Sequence, residues 1–170
     1  ANFYNHFGVS PIGIIRAAKN TLVKGELQGG STITQQLVKN VLLNPERTIS
    51  RKTKEIIVAL MVERAYTKDE ILEMYLNNIS YGGTAWGIQA ASQKFFGKNV
   101  TDLSLAEASF LAGLPSAPST YSPFSGGEEA SKARQKQVLQ RMVDLGVISK
   151  LEANRAVVED LFFAPQTEYI

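Results

Sequence analysis

The sequence predicts a mainly α-helical domain, on three observations. Apolar residues recur at three- and four-residue spacing through most of the chain. Ser or Thr followed three residues later by Glu or Gln, an arrangement that satisfies free N–H groups at a helix start, occurs at Thr32/Gln35, Thr67/Glu70, Ser104/Glu107 and Ser149/Glu152. No alternating apolar and polar run longer than a few residues marks a strand.

The elements follow in order. Ser10-Pro11 supplies a cap residue and a proline suited to the first helical position, so residues 12–23 read as a first helix ending near Gly25. Its apolar residues alternate with Arg16, Lys19 and Lys24, which suits a core-facing helix or a basic amphipathic one on a membrane surface. Gly29-Gly30-Ser31 breaks the chain, and Thr32 opens a second helix through about Leu43, stopped by Asn44-Pro45. A third helix spans about residues 50–65 and a fourth residues 67–78. The glycine-rich stretch 81–87 reads as a loop or tight crossing whose Trp86 packs inward, ahead of a small-residue helix over 88–96. Helices opened by Ser104 and Ser149 close near Gly113 and Asp160, and a longer one, residues 128–145, stops at Gly146. Residues 115–123 read as an ordered Pro/Ser loop.

With 170 residues, 44% apolar and 20% charged, the chain favours one packed domain and excludes a disordered or fibrous protein. Its net charge of +2 is too small to advertise a nucleic-acid binder. The absence of Cys removes disulfides, thiolate metal sites and cysteine nucleophiles. The longest apolar run falls far short of the roughly 20 residues of a spanning helix. Ala1-Asn2-Phe3-Tyr4 begins in an aromatic stretch without polar lead-in, which reads as a cut end.

The informative region is 29–63. Thr32, Gln35, Gln36, Lys39 and Asn40 share one helical face, and Ile33, Leu37 and Val41 another. An ordinary solvated face is the bland reading. Two adjacent Gln with Lys and Asn, however, offer directional donors suited to a sugar or phosphate. Between Lys39 and Lys54 five cations (Lys39, Arg47, Arg51, Lys52, Lys54) face the single acid Glu46, so this stretch carries +4 and the remainder of the chain −2. Arg51, Lys52 and Lys54 crowd the start of a helix, where the macrodipole disfavours cations. That placement makes sense if an anion such as pyrophosphate binds; a basic patch without ligand is the alternative. Glu55 shares a face with Arg51 and Lys52 and is read as ion-paired, either tying the cations down or orienting them beside a reacting centre. Glu63 and Glu73 read as surface or packing-edge acids. His6, the sole histidine, reads as a hydrogen-bonded structural residue, since one imidazole without Cys argues against structural zinc.

Gly29-Gly30-Ser31-Thr32-Ile33-Thr34-Gln35-Gln36-Leu37-Val38-Lys39-Asn40 resembles the hallmark motif of the peptidoglycan glycosyltransferases, glycosyltransferase family 51. Phe3-Tyr4-Asn5-His6-Phe7-Gly8 is similar to the tail of the family's first motif and Arg51-Lys52-Thr53-Lys54-Glu55 to its third. Ile71-Leu72-Glu73-Met74-Tyr75-Leu76-Asn77 is similar to the fourth, and residues 134–142 loosely to the fifth. These are the polymerising domains of class A penicillin-binding proteins and monofunctional transglycosylases.

The resemblance implies a lysozyme-like helical fold with a small membrane-facing jaw. It implies polymerisation of lipid II into β-1,4-linked glycan, with inversion and release of undecaprenyl pyrophosphate, at the outer face of the bacterial cytoplasmic membrane. Lys39, Arg47, Arg51 and Lys52 would neutralise the pyrophosphate, and Glu55 would be the second glutamate of the site. Gln35, Gln36, Asn40, Ser31 and Thr32 would line the cleft, supported by His6, Phe3 and Lys54. The general-base glutamate of the first motif would fall just upstream of Ala1, leaving residues 1–170 a domain truncated at its N-terminus and inactive alone. Expected partners are lipid II, the growing glycan, the membrane surface, other cell-wall synthesis proteins and moenomycin as inhibitor, with no nucleic acid. No cofactor is required; a divalent cation, Mg or Mn, would be compatible with a pyrophosphate site. Two other readings stand beside this one: a lysozyme-like hydrolase, which has no need of five clustered cations, and a lipid II-binding module without turnover.

Overall fold

A computed structural model describes residues 3–11, 13, 30–43, 48–125 and 127–165. It is mainly helical, as expected. The helices are α1 (Ile33–Leu42), α2 (Ile49–Ala65), α3 (Lys68–Asn78), α4 (Ile88–Phe96), α5 (Leu105–Gly113), α6 (Pro118–Tyr121), α7 (Glu128–Asp144) and α8 (Lys150–Val158). The chain divides into two compact units, residues 1–78 and 79–170. The first predicted helix lies outside the described residues apart from its start, where Ser10 Oγ accepts from the Gly13 N–H at 3.1 Å.

In the first unit α1 packs against both α2 and α3. Its capping box is complete: Thr32 Oγ1 accepts from the Gln35 N–H, and Gln35 Oε1 accepts from the Thr32 N–H at 2.9 Å. The buried side chains are Leu37, Val38, Ala59 and Ile71 together with the polar Thr32, Thr34, Gln35 and Glu55. Buried polar groups this numerous must be hydrogen-bonded to be tolerated. The interior of this unit is therefore a network as much as an oil drop.

The second unit is built on α5 against α7, with α8 closing the far side. Ala106, Leu139, Ala153 and Ala156 form one buried apolar cluster in it. Gln135 Nε2 donates to the Ala106 carbonyl at 2.9 Å, so one amide crosses from α7 to the α5 backbone. Phe95, Phe96, Phe110, Phe124 and Phe163 pack in stacked, tilted or edge-to-face pairs, with centroids 5.3–5.7 Å apart. The chain after α8 is stitched to α4 by Ala164 N–H to the Phe95 carbonyl at 2.8 Å.

The stretch read as a loop at 81–87 contains an antiparallel hairpin, β1 (Ser80–Gly82) with β2 (Ala85–Trp86). Strands this short carry too few residues to show an alternating pattern. Trp86, expected to pack inward, is 61% exposed, because the buried positions of the hairpin belong to Tyr81 and Ala85. The Pro/Ser loop is also partly helical, with a 3-10 turn at Leu114–Ser116 and α6 behind it. Prolines at their first turns need no N–H there, so Pro115 and Pro118 begin these turns rather than prevent them.

Candidate anion site on the first turn of α2

Thr48 caps α2, its hydroxyl accepting from the Arg51 N–H at 3.1 Å. No acid lies in the first turn, so Arg51 and Lys52 add charge to an end already positive. Glu55, one turn on, is 1% exposed and ties them: Arg51 Nη1 donates to Oε2 at 3.0 Å and Lys52 Nζ to Oε1. Lys52 Nζ also donates to Ser31 Oγ at 2.9 Å, which brings the turn before α1 onto the cation cluster. Arg51 Nε is buried and finds no hydrogen-bond partner among the described residues.

The arrangement joins Ser31, Thr32, Gln35, Arg51, Lys52 and Glu55 through direct bonds or the α1 cap. Gln35 is buried with its carbonyl oxygen engaged in that cap. Gln36 is half-buried, its Oε1 accepting from the Tyr75 hydroxyl at 3.3 Å; burial raises the Tyr75 pKa and keeps it a donor. Lys39, Asn40 and Lys54 are exposed. Arg47 lies outside the described residues.

Sequence reasoning missed Thr34, Glu63, Lys68 and Tyr75. Glu63, read as a surface or edge acid, has a side chain only 3% exposed and pairs with Lys68 at 2.6 Å while accepting from Thr34 Oγ1. The pair spans the α2–α3 turn rather than one helix, so no helical spacing announces it. Tyr75 sat in a recognised motif, which was its only signal.

His6 touches the edge of the Phe3 ring, with centroids 6.2 Å apart. The hydrogen-bonded imidazole expected there is not found at Nδ1, which is buried without a partner among the described residues. Burial, then the Lys68 charge, lowers its pKa from the usual 6.5, against a smaller opposing pull from Glu63. A depressed histidine pKa means the unfolded chain binds protons first as pH falls. The stability tied to neutral His6 is thus complete above 6.5 and is lost as pH drops below it. Thermal midpoints taken from about pH 7.5 to about pH 5 should fall less steeply in His6→Gln, which has no proton to take up, than in the parent. Parallel profiles would assign the acid sensitivity to other groups.

Among the described residues no three His, Asp or Glu side chains converge as a metal site would need, and no helix is long and apolar enough to cross a membrane.

The family described as Transglycosylase matches residues 1–143. Penicillin-binding protein 1A of Aquifex aeolicus (strain VF5) is 46% identical over 99% of this chain and 23% of its own length. Penicillin-binding protein 1A of Escherichia coli (strain K12) is also 46% identical, over 99% of this chain and 20% of its own. The chain therefore spans about a fifth of the length of these curated relatives. A crystal structure of Penicillin-binding protein 1A from Haemophilus influenzae aligns with TM-score 0.54 and 32% identity, over 78% of this chain and 16% of that one.

Proposed function

This chain belongs to the transglycosylase family, and from that premise we propose that residues 1–170 form a peptidoglycan glycosyltransferase domain that polymerises lipid II. The observation carrying the reading furthest is the first turn of α2. There Arg51 and Lys52 converge on a buried carboxylate at a helix end that the macrodipole already makes positive.

The acceptor's 4-hydroxyl attacks the donor's anomeric carbon, and its proton passes to a general-base glutamate just upstream of Ala1, as the resemblance of residues 3–8 to the family's first motif implies. The bond from that carbon to the pyrophosphate oxygen breaks, undecaprenyl pyrophosphate departs, and the configuration inverts. Arg51, Lys52, Lys39 and Arg47 neutralise the charge gathering on the leaving group, the step at which fixed cations act most strongly. Glu55 aims Arg51 and Lys52. Ser31, Thr32, Gln36 and Asn40 contact the sugars and phosphates, with Gln35 shaping that wall through the cap. No cofactor enters the scheme.

Ile57, Leu60 and Met61 on α2 and Val41 and Leu42 on α1 are apolar and exposed. Such residues beside a cationic stretch favour contact with a lipid surface, where a lipid-linked substrate would be held. The outer face of the cytoplasmic membrane and a cell-wall synthesis setting follow from that substrate.

The test is polymerisation of fluorescent lipid II by the full-length gene product. The expected result is a ladder of uncleaved glycan, with undecaprenyl pyrophosphate released and the reaction blocked by moenomycin. Shortening of finished strands would point instead to a hydrolase, and binding without product to a lipid II-binding module; either overturns the proposal.

A further inference from the structure

Residues 3–8 hold little regular structure of their own, a single 3-10 turn at Phe3–Asn5, yet side chains before α1 and on α3 fasten them. The Lys68 ammonium pairs with Glu63 Oε2 at 2.6 Å, donates to the His6 carbonyl at 2.5 Å and lies 4.6 Å from the centre of the Phe3 ring. Its three N–H directions are thereby used on a carboxylate, a carbonyl and an aromatic face, all inside the protein. The second Glu63 oxygen accepts from Thr34 Oγ1, and Thr34, in the first turn of α1, is fully buried. Two residues earlier, Thr32 Oγ1 donates to the Gly8 carbonyl at 2.5 Å. Tyr4 OH donates to Asp69 at 2.9 Å.

Gly8 shows how close the fit is. Its φ is +76°, and a Cβ there would sit 3.0 Å from the Ala59 carbonyl oxygen and 3.1 Å from Glu63 Cγ. Only glycine lets the segment reach α2 at this point.

A surface tie between neighbouring helices would leave its ions wet. Here the Glu63 side chain is 3% exposed and the Lys68 side chain 19%, and the bonds run outward from the pair to two other segments. We propose that Lys68, locked to Glu63, is a positioning residue for glycosyl transfer: the pair fixes the Phe3–Gly8 segment and the first turn of α1 to each other as one rigid wall beside the proposed anion site.

Ser31 and Thr32 stand on that wall, and residues 3–8 are the tail of the motif to which the proposal above assigns the general base. Loosening the wall leaves the Arg51–Glu55 and Lys52–Glu55 ties within α2 in place but misaligns the reacting groups. The rate of the chemical step therefore falls while substrate binding is kept. This inference rests on the glycosyltransferase reading, so parent activity is measured first.

In the full-length gene product assayed with lipid II, Lys68→Met should lower kcat by about 10- to 100-fold with KM within about threefold of the parent. Lys68→Arg, which can still reach the carboxylate and the carbonyl, should recover most of the lost kcat. Thr34→Val conserves shape and cuts the link from Glu63 to α1, so it should also lower kcat; it serves as the probe if Lys68→Met does not fold. A parent that makes no polymer removes the underlying reading and this one with it. Parent activity with kcat unchanged in Lys68→Met, or in Thr34→Val where Lys68→Met does not fold, overturns the positioning role alone, as does a defect confined to KM.

Discussion

Lys39→Met is expected to lower lipid II polymerisation by about 100- to 1,000-fold, roughly 3–4 kcal/mol of lost transition-state stabilisation. Lys39 is the basic residue of the last turn of α1 and is exposed, with no ion pair among the described residues. Its structural value is the few tenths of a kcal/mol that a cation contributes at a helix C-terminus. On the proposed reading its chemical value is larger, because charge accumulates on the pyrophosphate as the anomeric bond lengthens, and a cation already in place stabilises that state more than the ground state. Thermal stability should therefore hardly move, within about 0.5 kcal/mol, while the rate collapses. Continuous polymerisation assays beside a melting curve check both halves. Full activity in the variant would remove Lys39 from the leaving-group site.

Glu55→Gln should behave differently, because both terms change. Its carboxylate is buried and holds Arg51 on one oxygen and Lys52 on the other. An amide of the same shape can accept on one side only and turns an N–H toward the second cation. A stability loss of about 1–3 kcal/mol is expected, since a charged hydrogen bond is replaced by an opposed donor. At roughly 2–4 °C per kcal/mol for a chain of this size, the midpoint falls but a fold survives at working temperature. Polymerisation should fall by at least about 100-fold, because Arg51 and Lys52 lose the anchor that fixes their direction. If turnover persists at parental levels while the melting point drops, Glu55 is a structural ion pair and nothing more.

Most of the helical fold was legible because its signals are local. All four capping boxes read from sequence are made, each by residues three apart. Arg51, Lys52 and Glu55 were legible for the same reason, since three- and four-residue spacing on a helix dictates adjacency. What escaped depends on distant contacts. The hairpin at 80–86 is too brief to print a period on the sequence, and burial of Tyr81 and Ala85 rather than Trp86 is decided by what packs around them. The Ser31–Lys52 bond spans 21 residues and the Thr34–Glu63 bond 29. Neither has a sequence pattern, because each exists only once α1 has docked on α2. Glu63 looked ordinary because its partner Lys68 belongs to the next helix.

The Lys52 ammonium, held by both Ser31 and Glu55, has a consequence for how the site meets its ligand. A free lysine chain gives up about 1.5–2 kcal/mol of rotamer entropy when it is immobilised. Here that ordering is completed when the protein folds, not when a phosphate arrives. Two of the ammonium's three donors are engaged, and the side chain keeps 43% of its surface open, so a third donor can meet an anion without either existing bond being released. The cation is preorganised, so under the proposed reading capture of a phosphate would add a bond to a finished scaffold instead of assembling one.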